Sequence, residues 1–301
     1  MSHNTVNAVG VAPPAAFGKK KPAGFVKRLF RDKPLGAAGG IVLLFFLLVG
    51  IFADYIAPFG FSEMAPVERL NSPSMRHWFG TDNLGRDVLS RCIYGAQLSV
   101  IIGCSAAVLA TVISTLIGVA SGYIGGKFDL VVQRFVDAWM SFPDLIVLIV
   151  VVSVVGPGMP QTIFTLGLLL GIGGSRIVRS AVVGVRENMY IHAAKSMGAS
   201  PMRILWCHIL PNVMAPIIVL FTTRVGTVIL AESSIAFLGL GVPPPAPTWG
   251  GMLSGSGRTY MLQGPWLALA PGICLTAVVY ATNVFGDALR DLLDPRMRGS
   301  R

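Results

Sequence analysis

"YIHAAKSMGASPMRILWCHILPNV", residues 190–213, is a polar, mildly basic segment between two strongly apolar stretches. "YIHAAKSM" consists of helix formers without a breaker. Gly198 follows, the usual residue at a helix C-terminus because it accepts positive φ. Ser200-Pro201 reads as an N-cap with proline at the first helical position. "MRILWCHI" continues as a second short helix, and Leu210-Pro211 marks entry into the next apolar run. The segment predicts two short helices joined by a tight elbow outside the apolar layer. An amphipathic helix lying flat on a membrane would need no corner.

The flanking chain is membrane-like. Of its 301 residues, 53% are hydrophobic and 13% are charged, against about 25% charged in soluble domains. Net charge is +10, but the basic residues fall between apolar runs. That pattern fits membrane orientation and not a nucleic-acid-binding face. The cysteines (Cys92, Cys104, Cys207, Cys274) are far apart and suggest small buried hydrophobes. No metal site is expected, since no Cys/His cluster has ligand spacing.

A spanning helix needs about 20 apolar residues. Six candidate spans follow: 35–57, 97–122, 130–155, 160–183, 209–238 and 265–290. The end of the fourth is weakened by Gly171, Gly173, Gly174 and Arg176. With the N-terminus inside, 18 of the 24 Lys and Arg residues fall on inside segments and 5 on outside ones. That bias places both termini and the elbow in the cytoplasm. The chain thus divides into a cytoplasmic arm (1–34), a first span with its outer loop (35–96), a core of five spans (97–290) with the elbow at 190–206, and a cytoplasmic tail (291–301). The polar leader is too long for a secretory signal, so the first run is a retained span. The outer proline run "GVPPPAPTWGG" permits no helix until it ends.

Several motifs carry a resemblance. "HAAKSMG…ILPN" resembles the EAA signature of ATP-binding-cassette importer permeases, with Ala193, Ala194, Gly198, Ile209, Leu210 and Pro211 on the pattern. "FGTDNLGRDVLSRCIYGAQLSV" (79–100), "ESSIAFLGLGVPPPAPTWGGML" (232–253) and "GDALRDLLDPRMR" (286–298) resemble the peptide-type subfamily, specifically its DppC/OppC-like permease. The similarity covers nearly all of residues 25–298.

The resemblance implies an all-α protein of the bacterial inner membrane, with a type I importer (MetI-like) permease core. It implies a heterodimer with a DppB/OppB-like permease, two DppD/DppF-like ATPases and a periplasmic or lipid-anchored substrate-binding protein. The elbow then becomes a coupling helix docked on an ATPase, through His192, Ala193, Ala194, Gly198, Ala199, Ser200 and Pro201. The family usually has Glu where this chain has His192, which removes a negative charge from that surface. Substrate classes in the subfamily include di- and oligopeptides, glutathione, nickel chelates and opines.

The residues agree with a division of labour. No phosphate-binding loop GxxxxGK[ST] is present. At Gly126-Lys127, the nearest approach to one, Ser121 replaces the first glycine and Phe128 follows the lysine. The chain is therefore expected to be no enzyme and to bind no cofactor, with ATP and Mg held by partner subunits. An ion-coupled secondary transporter would show an inverted repeat and paired broken helices. A membrane enzyme would show clustered acids, His or an activated nucleophile. Neither pattern is evident in the sequence.

Charges inside spans are costly and face a cavity or a partner. Arg224 and Glu232 lie in the fifth span, with Arg224 about 22 Å along it, near the midplane. Two interpretations of Arg224 stand: a contact with a substrate carboxylate, or an ion pair with the partner subunit or Asp137. Glu232 is expected at the outer end in a structural role. Arg134 and Asp137 share a face and predict a local ion pair. Thr81, Asp82, Gly85, Arg86 and Asp87 suit a turn leading into a helix N-terminus, and are expected to order the outer gate or a binding-protein surface. Asp287, Arg290, Asp291 and Asp294 fit a cytoplasmic helix end.

Overall fold

The computed structural model describes residues 25–293. Residues 1–24 of the predicted arm and 294–301 of the tail, Asp294 included, lie outside the described residues. Among the described residues there is no β-strand, only an isolated antiparallel bridge between Thr81 and Asp87.

A short helix α1 (Phe25–Asp32) precedes the first span, α2 (Pro34–Ile51), which opens on proline where a missing N–H costs nothing. A single turn, α3 (Ala53–Ile56), ends it. After an irregular stretch comes α4 (Val88–Ile124), 37 residues long. At 1.5 Å per residue it reaches about 55 Å, well beyond a hydrocarbon layer of about 30 Å. The helix therefore begins inside the predicted outer loop, nine residues before the apolar run.

The third span differs from the expected single helix. It is broken into α5 (Gly126–Met140) and α6 (Asp144–Val155), bent by 83°. Pro143 has no N–H to donate and disfavours helical geometry at Phe142. The Ser141 hydroxyl donates to the Ala138 carbonyl at 2.7 Å, adding to the backbone bond that carbonyl accepts from Ser141 N at the end of α5. Counting this bent pair as one span, the described residues hold six helices long and apolar enough to cross a membrane, the number that the sequence predicts.

The fourth span, α7 (Met159–Arg186), is an unbroken helix. Its glycines do not weaken it; they let it approach α4. A Cβ on Gly171 would lie 2.8 Å from Ile113 Cβ, and one on Gly118 of α4 would lie 2.7 Å from the Ser175 carbonyl oxygen. The α4–α7 contact is the most extensive in the bundle. Around it Ile102, Ala106, Ala107, Ala110, Leu148 and Leu166 form the main core.

The elbow consists of α8 (Met189–Ser196) and α9 (Pro201–Ile204). The second helix is not separate as expected. It passes through a π-turn at Leu205–Ile209 into the fifth span, α10 (Leu210–Phe237). The proline run forms no helix but turns at Pro244-Pro245 rather than staying extended, until Thr248 caps α11 (Trp249–Met252), its hydroxyl accepting from Gly251 N at 3.1 Å. Trp249 is fully buried and donates to the Cys92 carbonyl at 3.1 Å, tying this loop to α4. The last span, α12 (Trp266–Leu293), packs on α2 and α10.

Candidate functional site

Three polar constellations interrupt the apolar bundle. The first is the elbow. Its corner is a complete Schellman arrangement: Ala199 N donates to Ala194 O at 3.1 Å and Gly198 N to Lys195 O at 2.9 Å, with Gly198 at φ +78°. Ser200 then caps α9, its hydroxyl accepting from Arg203 N. The sequence motif thus builds the corner it predicts.

The elbow has two faces. Ile191 and Ile204 are buried against Val178 and Val182 of α7 and Val213 and Ile217 of α10. Ala194 turns inward with them, so it is not among the exposed residues of the expected docking surface. Outward, Met189, Met197, Met202 and Trp206 are exposed, Met197 at the corner by 82%. His192, Ala193, Ser200 and Pro201 are exposed on the same end, with Ala199 half-buried. The inner face is thus packed on α7 and α10, while the outer face is methionine-rich and exposed.

The second constellation follows the broken span. Near its elbow end, both carboxylate oxygens of Asp129 are held by Nε and Nη2 of Arg179 on α7. Farther along, Asp137 is paired with Arg176 of α7, and Arg134 Nη1 approaches it at 3.4 Å. The predicted Arg134–Asp137 pair is therefore present, but joined by a cation that sequence spacing does not reveal. At the bend, Arg224 of α10 and Asp144 of α6 line one cavity of about 370 Å³. Asp137 is committed elsewhere, which removes it as the partner of Arg224. Arg224 Nε is buried without a hydrogen-bond partner.

Glu232 does not share that cavity. It is fully buried, with Ser233 Oγ at 3.5 Å and its Oε1 without a hydrogen bond.

The third constellation is the outer motif. Thr81, Asp82, Arg86 and Asp87 are all buried, so they form a lock and not a surface of their own. Asp82 accepts from Leu84 N at 2.8 Å and Arg86 N at 3.0 Å, and pairs with Arg86 Nε. Gly85 has φ +74°, and a Cβ there would fall 1.9 Å from the Ala65 carbonyl oxygen, so no side chain fits. Asp87 is the N-cap of α4, accepting from Ser90 N at 2.7 Å, as its position predicts. His77, unmarked by the sequence motif, bridges Asp87 at 2.8 Å and Glu68 at 3.0 Å. Trp266 of α12 donates to the Thr81 carbonyl at 3.2 Å, fixing the lock to the last span.

At the opposite end of α12, Lys33 is paired with Asp291, which gives that C-terminal acid the structural role expected of it.

Known proteins resemble this chain in sequence and in fold. Residues 114–299 match the family described as binding-protein-dependent transport system inner membrane component, and residues 25–73 match the N-terminal TM domain of oligopeptide transport permease C. The dipeptide transport system permease protein DppC of Alkalihalophilus pseudofirmus is 40% identical over 272 residues, 90% of this chain and 89% of that protein. The glutathione transport system permease protein GsiD of Escherichia coli O157:H7 is 38% identical over 273 residues, 90% of each chain. Among solved structures, a chain of the MetNI methionine ABC transporter in an inward-facing conformation has a TM-score of 0.57 at 19% identity, covering 68% of this chain and 96% of that one. At that identity the likeness speaks for the fold alone.

Proposed function

The chain belongs to the family of binding-protein-dependent transport system inner membrane components, and from that premise we propose that it is one transmembrane half of an importer for di- or oligopeptides. It is a multi-pass protein of the bacterial inner membrane and not an enzyme. ATP hydrolysis belongs to separate subunits, and the nucleotide and its magnesium are theirs. A DppB/OppB-like permease completes the pathway, DppD/DppF-like ATPases drive it, and an external binding protein delivers the solute. Both termini and the elbow face the cytoplasm, in keeping with the distribution of Lys and Arg.

The observation that carries this reading is the two-faced elbow. An exposed Met189–Met197–Met202–Trp206 surface, on helices whose inner face is locked by Ile191 and Ile204, suits a lever pushed by a soluble partner. Alternating access then follows from movement of α7 and α10. Di- and oligopeptides are favoured over nickel chelates, glutathione or opines because a dipeptide permease matches at 40% identity and Arg224 offers a cation at mid-span. The glutathione permeases at 38% make a thiol tripeptide the second candidate.

The test is a cross-link. Cysteine replaces Met197 in a chain freed of its four native cysteines, co-expressed with the partner permease and ATPases. A product with an ATPase that changes with nucleotide is expected. An assembled, hydrolysing complex without that product would overturn the elbow's assignment.

A further inference from the structure

Arg224 and Asp144 approach the same cavity from two different helices, at the only bend of more than 40° among the described spans. Asp144 shares that cavity with Arg224, with no hydrogen bond between them. Arg224 Nε is buried and unpartnered. Its Nη2 lies against Gly174, where a Cβ would come within 3.3 Å, and Gly173 beside it lines the cavity. Gly174 leaves room for the guanidinium. The cavity, about 370 Å³, falls within the range of small-molecule pockets, roughly 300–1,000 Å³.

Compare the two charge pairs nearer the elbow. Asp129 with Arg179, and Asp137 with Arg176, are closed pairs in direct contact. They line a polar trough along α5 and α7 that leads toward the bend. The third pair is open. Asp144 in the first turn of α6 complements the helix dipole, which accounts for an acid there but not for an unpaired arginine facing it. A lone cation would favour any anion. A cation and an anion held apart across one cavity favour a solute that carries both.

We propose that Arg224 and Asp144 form a zwitterion-binding station at the bend, where a short peptide places its terminal carboxylate on Arg224 and its terminal ammonium on Asp144. This rests on the peptide-importer reading. While the station is occupied, the buried Nε of Arg224 gains the hydrogen-bonded partner it lacks, and the exposed Asp144 carboxylate gains a cation. When it empties toward the trough, the closed pairs offer exchangeable contacts of the same kind.

The experiment measures uptake by the complete transporter in proteoliposomes, at saturating binding protein, per assembled complex. The probes are one dipeptide with free ends, its N-acetyl form and its C-amide form. The binding protein is common to all variants, so changes in the ratio of two probes report on the permease. Asp144→Asn is expected to lower free-dipeptide uptake about tenfold and N-acetyl uptake less than twofold. Arg224→Gln is expected to do the same for the free and amide forms. Equal slowing of all three probes, or none, overturns the station. A second arm keeps both charges and places cysteine at Gly173, in a background without the native cysteines. Labelling by a small thiol reagent is expected to slow several-fold during turnover of the free dipeptide, and unchanged labelling overturns the station too. Uptake of no peptide by the unaltered complex instead overturns the peptide reading on which the station rests.

Discussion

Arg86 closes on Asp82 across a single buried turn, its Nε 2.6 Å from Asp82 Oδ2, with Arg91 Nε 3.8 Å from the same oxygen. One carboxylate thus balances two buried guanidinium groups while accepting two backbone N–H bonds. Removing one partner of a buried pair costs about 3–5 kcal/mol, because the other charge stays buried and unpaired. Asp82→Ala is therefore expected to lower the melting temperature of the purified complex sharply. Arg134→Ala, on an exposed pair, is expected to cost about 1 kcal/mol or less. Similar melting shifts for the two variants would show that the outer lock contributes no special stability.

The elbow's two faces allow stability and the proposed coupling to be tested apart. Ile204 is buried and Met197 exposed. Ile204→Ala is expected to cost about 2–5 kcal/mol by leaving a cavity under the elbow. Met197→Ala should stay within about 0.5 kcal/mol, while ATPase activity stimulated by loaded binding protein drops. Thermal melts and stimulated hydrolysis on the same preparations decide the matter. A Met197→Ala complex with full stimulation would remove the corner from the contact surface.

The glycines of the fourth span and its neighbour make a sharper pair. A Cβ at Gly118 meets the Ser175 carbonyl oxygen at 2.7 Å and Arg179 N at 2.9 Å, which are backbone atoms that cannot step aside. At Gly184, also helical, a Cβ meets nothing within 4 Å. Gly118→Ala is expected to destabilise by about 1–3 kcal/mol through overpacking. Gly184→Ala should gain up to about 1 kcal/mol from helix propensity. Opposite signs in a denaturation series confirm that close approach, not flexibility, explains these residues.

What could be read from the chain follows from range. The elbow was legible because Gly198, Ser200 and Pro201 act on their own backbone within four residues, and the folded corner uses each as its chemistry suggests. Asp87 was legible for the same reason. The six apolar runs announced the spans, but hydropathy averages over Ser141–Pro143 and hides a bend that Pro143 alone could have signalled. The partners of Asp129 and Asp137 lie 50 and 39 residues away, and no local pattern encodes such pairing. His77 and Asp144 escaped notice because a lone His and a lone Asp carry no spacing signature. Only the fold brings them to Asp87 and Arg224.

The bend itself can be removed. Proline costs about 3 kcal/mol relative to alanine inside a helix, so Pro143→Ala relieves the constraint that separates α5 from α6. The 83° bend is expected to open toward a continuous helix, carrying Asp144 away from Arg224 and dissolving the cavity they line. Spin labels at the exposed positions Phe135 and Val154 should report a longer separation in the variant. Stability is expected to fall as Leu148 and Val152 of α6 leave the core, although a backbone N–H is restored, and peptide uptake should drop about tenfold or more. An unchanged label distance with full uptake would mean that tertiary contacts, not Pro143, impose the bend. A lengthened distance with full uptake would mean that transport does not depend on the bend.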